Sequence, residues 1–178
     1  MDILIRPERE SDYAEIEAVV QAAFEGAPHT DGTEHLLVGR LRKTPEYIPE
    51  LSLVALCDDQ IVGYLMLSKI AIEQDGKSAL SLALAPVAVL PAYQGQGIGS
   101  RLIRYALALA RKLEYPSAIV LGSDAFYPNF GFQPAARFGV KAPFDVPSRN
   151  FMALELAAPG LSGVSGVVRY SPAFFEES

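Results

Sequence analysis

A glycine-rich segment, residues 94–99, reads Gln-Gly-Gln-Gly-Ile-Gly and separates an apolar stretch from one with helical periodicity. Glycine permits positive φ and lets the backbone approach a ligand closely, so successive N–H groups can converge on phosphate oxygens. The beginning of the following helix also favours an anion through its dipole. The segment therefore predicts a pyrophosphate site. Arg101 and Arg104, in the first helical turns, either add positive charge there or form a solvated basic face.

Two other interpretations of this segment stay open. A glycine-rich turn without a ligand is one, because three glycines alone are a weak signal. A dinucleotide-binding fold is the other, but Ser100 stands where the third glycine of G-x-G-x-x-G belongs. About 20 residues further on, where an acidic ribose ligand is expected, the chain reads Ala118-Ile119-Val120. These departures disfavour the dinucleotide interpretation.

Pro86 lies inside the apolar stretch that precedes the glycines. Because proline lacks a donor for the strand ladder, it predicts a bulge in this strand. The N–H groups of Val87 and Val89 would then need partners, and an extended amide-bearing ligand could supply them by lying alongside like an added strand. A simple kink beside a chain turn remains the alternative.

The charge of the chain is unevenly distributed. The formal total is −6, which disfavours a general nucleic-acid binder with a basic face. Residues 1–90 carry 7 basic and 15 acidic side chains, whereas residues 91–114 carry four basic side chains against Glu114 alone. This basic segment coincides with the predicted helix start and favours an anionic ligand there. The acidic segment favours a cationic partner.

The elements that must position these residues follow from periodicity and turn residues. Asp58-Asp59-Gln60 predicts the turn of an antiparallel hairpin, and a strand, helix and strand around the glycines predict two parallel strands within an otherwise antiparallel sheet. Ser11-Asp12 and Thr33 are candidate helix caps. The expected strands are 3–6, 51–56, 61–72, 80–90, 118–121, 150–156 and 164–170, and the expected helices are 13–24, one after Thr33, 97–113 and a short turn at 126–130.

Taken together, the residues resemble the GCN5-related N-acetyltransferase (GNAT) superfamily over nearly the whole chain. Gln94-x-x-Gly97-x-Gly99 is similar to its (Arg/Gln)-x-x-Gly-x-(Gly/Ala) acyl-CoA motif, and residues 127–132, Tyr-Pro-Asn-Phe-Gly-Phe, are similar to its Tyr-x-x-x-Gly-Phe motif. Residues 84–91 and 166–174 resemble the subgroup of predicted acetyltransferases similar to bacterial YhbS.

The resemblance implies an α/β (α+β) fold with a mixed, mostly antiparallel sheet, flanked by helices and splayed in a V between its fourth and fifth strands. It implies acetyl-CoA as co-substrate and no metal. Backbone groups of Val87 and Val89 would bind the pantetheine, and amides from Gly95 to Ser100 the pyrophosphate. The residues expected to bind acetyl-CoA are Val87, Ala88, Val89, Gln94, Gly95, Gln96, Gly97, Ile98, Gly99 and Ser100.

The resemblance also implies direct attack of an amine on the thioester, without a covalent enzyme intermediate. Tyr127 is similar to the family's general acid for the departing thiolate, and Cys57 is expected to be a small core residue rather than a nucleophile. The general base is not specified, because Leu82, Leu84 and Pro86 occupy the strand where relatives can carry a glutamate. Glu34 is a tentative base, and the alternatives are Asp124 and a water held by Ser123.

The expected activity is therefore transfer of an acetyl group to a small-molecule or protein amine, and the alternative is an acyl-CoA-binding sensor without turnover. Residues 1–178 are expected to form a single domain, as a cytoplasmic monomer or homodimer without a nucleic-acid or membrane partner. The irregular segments 26–32 and 135–149 are expected to border the acceptor site. Residues 157–178 either complete the sheet within one chain or pair across a dimer.

Overall fold

The computed structural model describes residues 1–27 and 30–175. Its helices are α1 (Tyr13–Phe24), α2 (Glu34–Leu41) and α3 (Ile98–Lys112). Its strands are β1 (Leu4–Pro7), β2 (Ser52–Cys57), β3 (Gln60–Gln74), β4 (Lys77–Val89), β5 (Ser117–Leu121), β6 (Gln133–Pro134), β7 (Val140–Lys141), β8 (Phe151–Glu155) and β9 (Gly166–Arg169). Short 3₁₀ turns connect several of these elements.

The sheet has the order β1-β2-β3-β4-β5-β8-β6, and β9 pairs with both β3 and β7. The pair β4 and β5 is parallel and is joined by the crossover helix α3, while the pairs β1–β2, β2–β3, β3–β4 and β5–β8 are antiparallel. The predicted mixed, mostly antiparallel sheet with flanking helices is therefore confirmed. The additional parallel pair, β7 and β9, was not expected.

β3 organises the sheet because its 15 residues serve three partners. β4 runs along one edge, whereas β2 pairs with residues 60–66 and β9 with residues 71–73. The turn before β3 is formed by Asp58 and Asp59, both with positive φ, as expected of a tight hairpin. The pairing of β9 shows that the late segment completes the sheet within one chain.

Two apolar layers cover the sheet. α3 packs on one face through Ile98, Leu102 and Ala106, while α1 and α2 pack on the other through residues such as Ile16 and Val38. The buried side of α3 consists of Ile98, Leu102, Ile103, Ala106, Leu107 and Ala110, whereas Tyr105 on the same helix is exposed.

The two predicted side-chain caps are also wrong. Asp12 precedes α1, but its carboxylate accepts hydrogen bonds from the Arg6 guanidinium and the Arg9 N–H. Thr33 precedes α2, but its hydroxyl donates to Asp31. Neither residue has the extended backbone that side-chain capping typically uses, since φ and ψ are −86° and −15° at Asp12 and −115° and 11° at Thr33. None of the helices in the described ranges is long and apolar enough to cross a membrane.

Candidate functional site

The sheet opens between β4 and β5. These strands pair only at Leu82 with Ala118 and at Ala83 with Ile119. Just before that point, Ser81 Oγ lies 2.7 Å from Ser117 Oγ in a buried hydrogen bond that ties the strands together. Beyond it, β4 continues to Val89 alongside β3 alone. The predicted splay between the fourth and fifth strands follows directly from this short pairing.

The predicted bulge at Pro86 is confirmed, because the β3–β4 register shifts between Leu65 and Leu67 opposite Ala85 and Pro86. The N–H of Leu90 donates to Val62 on β3 at 2.8 Å.

Since N–H groups alternate between the two edges of an antiparallel strand, those of Val87 and Val89 point away from β3, toward the opening. Ala88 is oriented differently: its side chain is buried in the α1 and α2 layer, and its backbone faces β3.

The glycine loop, which we define as residues 94–97, is exposed and leads from this opened edge into α3. Gly95 and Gly97 have φ values of 78° and 82°, and a Cβ placed on either would meet no protein atom within 4 Å. The glycines are therefore required by backbone conformation and not by crowding, as predicted. Their surroundings are open to a ligand, so the loop fits the polyphosphate that its sequence predicts.

The start of α3 supplies the donors. The first hydrogen bond of the helix runs from the Arg101 N–H to the Gly97 carbonyl at 3.1 Å, so the N–H groups of Ile98, Gly99 and Ser100 lie outside the intrahelical ladder. The Ile98 side chain is buried and anchors the helix start, while Gly99 packs against Val89. Oriented N–H groups at a helix start form a favourable environment for phosphate oxygens.

The two glutamines differ in their surroundings. The Gln94 side chain donates from Nε2 to the Val89 carbonyl at 3.0 Å and thereby ties the glycine loop to the end of β4. Gln96 is exposed in the same loop. The position of Gln94 indicates that it shapes the loop in addition to any contact with a ligand.

The basic residues of α3 divide into two groups. Arg101 donates to the Ile3 carbonyl at 3.2 Å, and the Arg104 guanidinium lies 5.1 Å from the ring centroid of Phe130. Arg111 and Lys112 are in the last turn, about 20 Å from the glycine loop, because a helix rises 1.5 Å per residue. Only the first pair is close enough to add charge at the predicted phosphate site.

Tyr127 begins a 3₁₀ turn, Tyr127–Phe130, on the face of the sheet that carries α3. A Cβ placed on Gly122 would lie 2.5 Å from Cε2 of Tyr127, so the ring occupies space that any other residue at position 122 would fill. Burial raises the pKa of Tyr127 to about 12. Its hydroxyl therefore stays protonated throughout the neutral range and is suited to donate a hydrogen bond.

The candidate bases lie at two places, because Ser123 and Asp124 are next to Tyr127, whose N–H donates to the Ser123 carbonyl at 3.1 Å, whereas Glu34 is not. Glu34 is half-buried at the start of α2, on the opposite face of the sheet, where it accepts from the Thr30 hydroxyl at 2.7 and 2.6 Å. Asp124 is exposed 3.6 Å from Arg149, and Ser123 Oγ accepts from the N–H of Ala125 at 3.2 Å. Cys57 is a partly buried residue packed against the α3-side core.

A cavity of about 270 Å³ lies on the face opposite α3. It touches β4 and β5 where they part, at Ala83 and Ile119. Sequence reasoning missed its lining, although Phe144 falls in the predicted acceptor segment 135–149. The other predicted acceptor segment, 26–32, includes Pro28 and His29, which lie outside the described residues. We define the aromatic cavity by Leu37, Leu121, Phe144, Tyr170, Phe174 and Phe175, which meet there from distant parts of the chain.

Comparison with known proteins bears on the family and the fold. Residues 49–134 match the Acetyltransferase (GNAT) domain family. The chain is 31% identical over 173 residues to the uncharacterized N-acetyltransferase YhbS of Escherichia coli, covering 97% of this chain and 98% of YhbS.

Two solved structures show the same fold. The Escherichia coli YhbS structure, a complex with CoA, superposes with a TM-score of 0.87 at 30% identity, covering 99% of this chain and 93% of the other. A GNAT family acetyltransferase from Brucella melitensis, in complex with acetyl-CoA, gives 0.81 at 34% identity, with coverage of 97% and 98%.

Proposed function

The chain belongs to the GNAT family of N-acetyltransferases, and from that premise we propose that it transfers the acetyl group of acetyl-CoA directly to a primary amine. The observation that carries the proposal is the meeting of two backbone donor sets at one place. The N–H groups of Val87 and Val89 face the opening between β4 and β5, and the glycine loop begins just beyond that edge. An extended amide-bearing chain ending in phosphates matches both sets.

The reaction needs three changes. The amine nitrogen forms a bond to the thioester carbonyl carbon, the carbon–sulfur bond breaks, and the proton lost by the nitrogen passes to water or a nearby base. Val87 and Val89 hold the pantetheine along β4, while Gly95 to Ser100 hold the pyrophosphate. Fixing the thioester at the open edge would reduce the entropic cost of attack.

Tyr127 assists the leaving group as a hydrogen-bond donor. With its pKa raised to about 12, full proton transfer to a thiolate whose conjugate thiol has a pKa of about 8.5 is uphill by about 3.5 units, or roughly 5 kcal/mol. Donation without transfer has no such cost and still stabilises the developing negative charge on sulfur. Water then supplies the proton that any remaining thiolate takes up.

The test is CoA release from acetyl-CoA, measured with a panel of amines for the unaltered chain and for Tyr127→Phe. We expect Tyr127→Phe to leave the Kd for acetyl-CoA within about twofold and to lower kcat by about 100-fold, the usual effect of losing one such donor. Tyr105→Phe is the matched control, because Tyr105 is an exposed residue on α3. An unchanged kcat in Tyr127→Phe would remove the assignment.

The same panel separates the enzyme from an acyl-CoA sensor. That alternative is favoured by the apolar character of β4, where Leu82 and Leu84 are buried. Tight acetyl-CoA binding without CoA release for any amine would support the sensor. Turnover with any amine, lowered about 100-fold in Tyr127→Phe, would support the enzyme. Glu34→Gln tests the tentative base in the same assay, since a lowered kcat that recovers at higher pH is expected of a lost base.

A further inference from the structure

The aromatic cavity and α3 lie on opposite faces of the sheet. The cavity reaches the opening between β4 and β5. Side chains alternate along a strand, so Leu82 and Ala118 face the α3 layer while Ala83 and Ile119 face the other side. The cavity is lined by Ala83 and Ile119, the last pair of residues that joins β4 to β5, and also by Leu84 and Ala85, the next two residues of β4. Its inner end is therefore at the place where a thioester held along β4 would be attacked.

The lining has a single chemical character. Of the described residues, those that line this cavity are aliphatic or aromatic, and none carries a formal charge. The Tyr170 ring lies 5.0 Å from that of Phe174 and stacks on Phe144 at 6.0 Å between centroids. Such a wall offers no counter-charge to the second ammonium group of a polyamine, and it offers few polar partners to the hydroxyl groups of an amino sugar. It favours an apolar group, above all an aromatic one.

The size of the cavity also fits. A cavity of roughly 150 Å³ lined by Leu, Ile and Phe is enough to admit benzene. The aromatic cavity, at about 270 Å³, holds one ring together with a short linker. Leu37 contributes to its wall from α2, and Glu34 lies three residues earlier on the same side of that helix. Glu34 is not itself one of the residues that line the cavity, so it adds no charge to the described wall.

Resting on the proposed function, we propose that the aromatic cavity binds the acceptor, and that the acceptor is a primary amine carrying one apolar group of about the size of a phenyl ring. The ring lies among Phe144, Tyr170 and Phe174, and the nitrogen points toward Ala85 at the opening. Polyamines and amino sugars are expected to be poor acceptors, because the described residues that line the cavity carry no charge.

The first test compares two acceptors that differ only at the group in question. 2-Phenylethylamine and ethanolamine share an aminoethyl unit and carry a phenyl or a hydroxyl group. We expect a kcat/KM about 100-fold higher for 2-phenylethylamine, as the burial of one ring predicts. Spermidine should be as poor as ethanolamine. Equal values for the three amines, or a preference for spermidine, would overturn the proposal.

The second test fills the cavity. Leu121 lines it and is 47% exposed, whereas Leu80, on β4, is 46% exposed and outside it, so Leu121→Trp and Leu80→Trp are matched variants. We expect Leu121→Trp to raise the KM for 2-phenylethylamine at least tenfold without changing the Kd for acetyl-CoA, and Leu80→Trp to change neither. If Leu121→Trp instead raises only the KM for hexanoyl-CoA, the cavity takes a long acyl chain and the proposal is wrong.

A third measurement does not depend on turnover. The chain contains no tryptophan, so each variant carries a single fluorophore. With CoA present, adding N-acetyl-2-phenylethylamine should shift the emission of Leu121→Trp and leave that of Leu80→Trp unchanged. A shift without turnover of any amine would reject the proposed acetyl transfer but keep the cavity as a binding site. Turnover without a shift in the emission of Leu121→Trp would reject the cavity as the acceptor site but keep the proposed acetyl transfer.

Discussion

The glycine loop and the aromatic cavity lie at two ends of the same opening, and they present different parts of the chain to a ligand. The glycine loop presents backbone N–H groups, which its two positive φ angles and the start of α3 orient. The aromatic cavity presents side chains brought together from α2, β4, β5, the segment around Phe144 and the residues after β9. The first is encoded within a few consecutive residues, whereas the second exists only after the chain has folded.

The largest effect should come from the glycine loop. Gly97→Val replaces a residue at φ 82°, whose backbone orients the helix start. Loss of two N–H contacts to phosphate, at about 1.5 kcal/mol each, predicts about a 100-fold rise in the Kd for acetyl-CoA, measured by calorimetry. Gly76→Val is the matched control, with φ 77° and equally open surroundings in the β3–β4 turn. If both variants bind acetyl-CoA normally, backbone amides do not hold the phosphates.

A second variant acts between the two regions, through the fit of Tyr127 against Gly122. Gly122→Ala places a Cβ 2.5 Å from the ring and must displace it. We expect kcat to fall about tenfold while the Kd for acetyl-CoA and the KM for 2-phenylethylamine stay within twofold, because neither binding region is altered. Gly39→Ala in α2, with no protein atom near its Cβ, is the control. In a chain that already carries Tyr127→Phe, adding Gly122→Ala should lower kcat little further. A further tenfold fall in kcat would contradict the role of Gly122 in positioning the Tyr127 hydroxyl.

A smaller effect is expected from the charge beside the glycine loop. Arg104 is exposed on α3, and screened surface charges contribute about 0.2–1 kcal/mol. Arg104→Gln should therefore raise the Kd for acetyl-CoA about threefold at low salt and less at high salt. Arg111→Gln, at the far end of the helix, should leave the Kd for acetyl-CoA unchanged at both low and high salt. Equal effects of the two substitutions would indicate general attraction and not a contact at the loop.

The smallest change in kcat is expected from alkaline pH, which should not lower it. A tyrosine donates a hydrogen bond only while protonated, and with the pKa of Tyr127 raised to about 12 the hydroxyl keeps its proton between pH 7 and 10. The kcat of the unaltered chain at saturating 2-phenylethylamine should therefore not fall over that range. A fall centred near pH 10, present in the unaltered chain and lost in Tyr127→Phe, would show that the phenol ionises at its ordinary value.

Much of the fold was predictable because its signals are local. Two apolar stretches on either side of a short polar turn predicted β2 and β3, with Asp58 and Asp59 in the turn. Helical periodicity predicted α3 to within a residue at each end. The bulge at Pro86 followed from the missing donor of proline. The caps at Asp12 and Thr33 were mispredicted because the backbone at neither residue is extended, and the residue type alone does not specify that conformation.

The sequence by itself determined the backbone chemistry of this protein: a bulged strand, a glycine loop and a helix start, in that order along the chain. Those features depend on the φ preferences of glycine and the missing N–H of proline, which are properties of single residues. Only the tertiary structure decided that Tyr127 packs on Gly122 and that Leu37, Phe144 and Tyr170 enclose one cavity beside the opening. Such contacts join residues far apart in the chain, and they arise because apolar side chains from several elements are buried against each other when the sheet and helices pack.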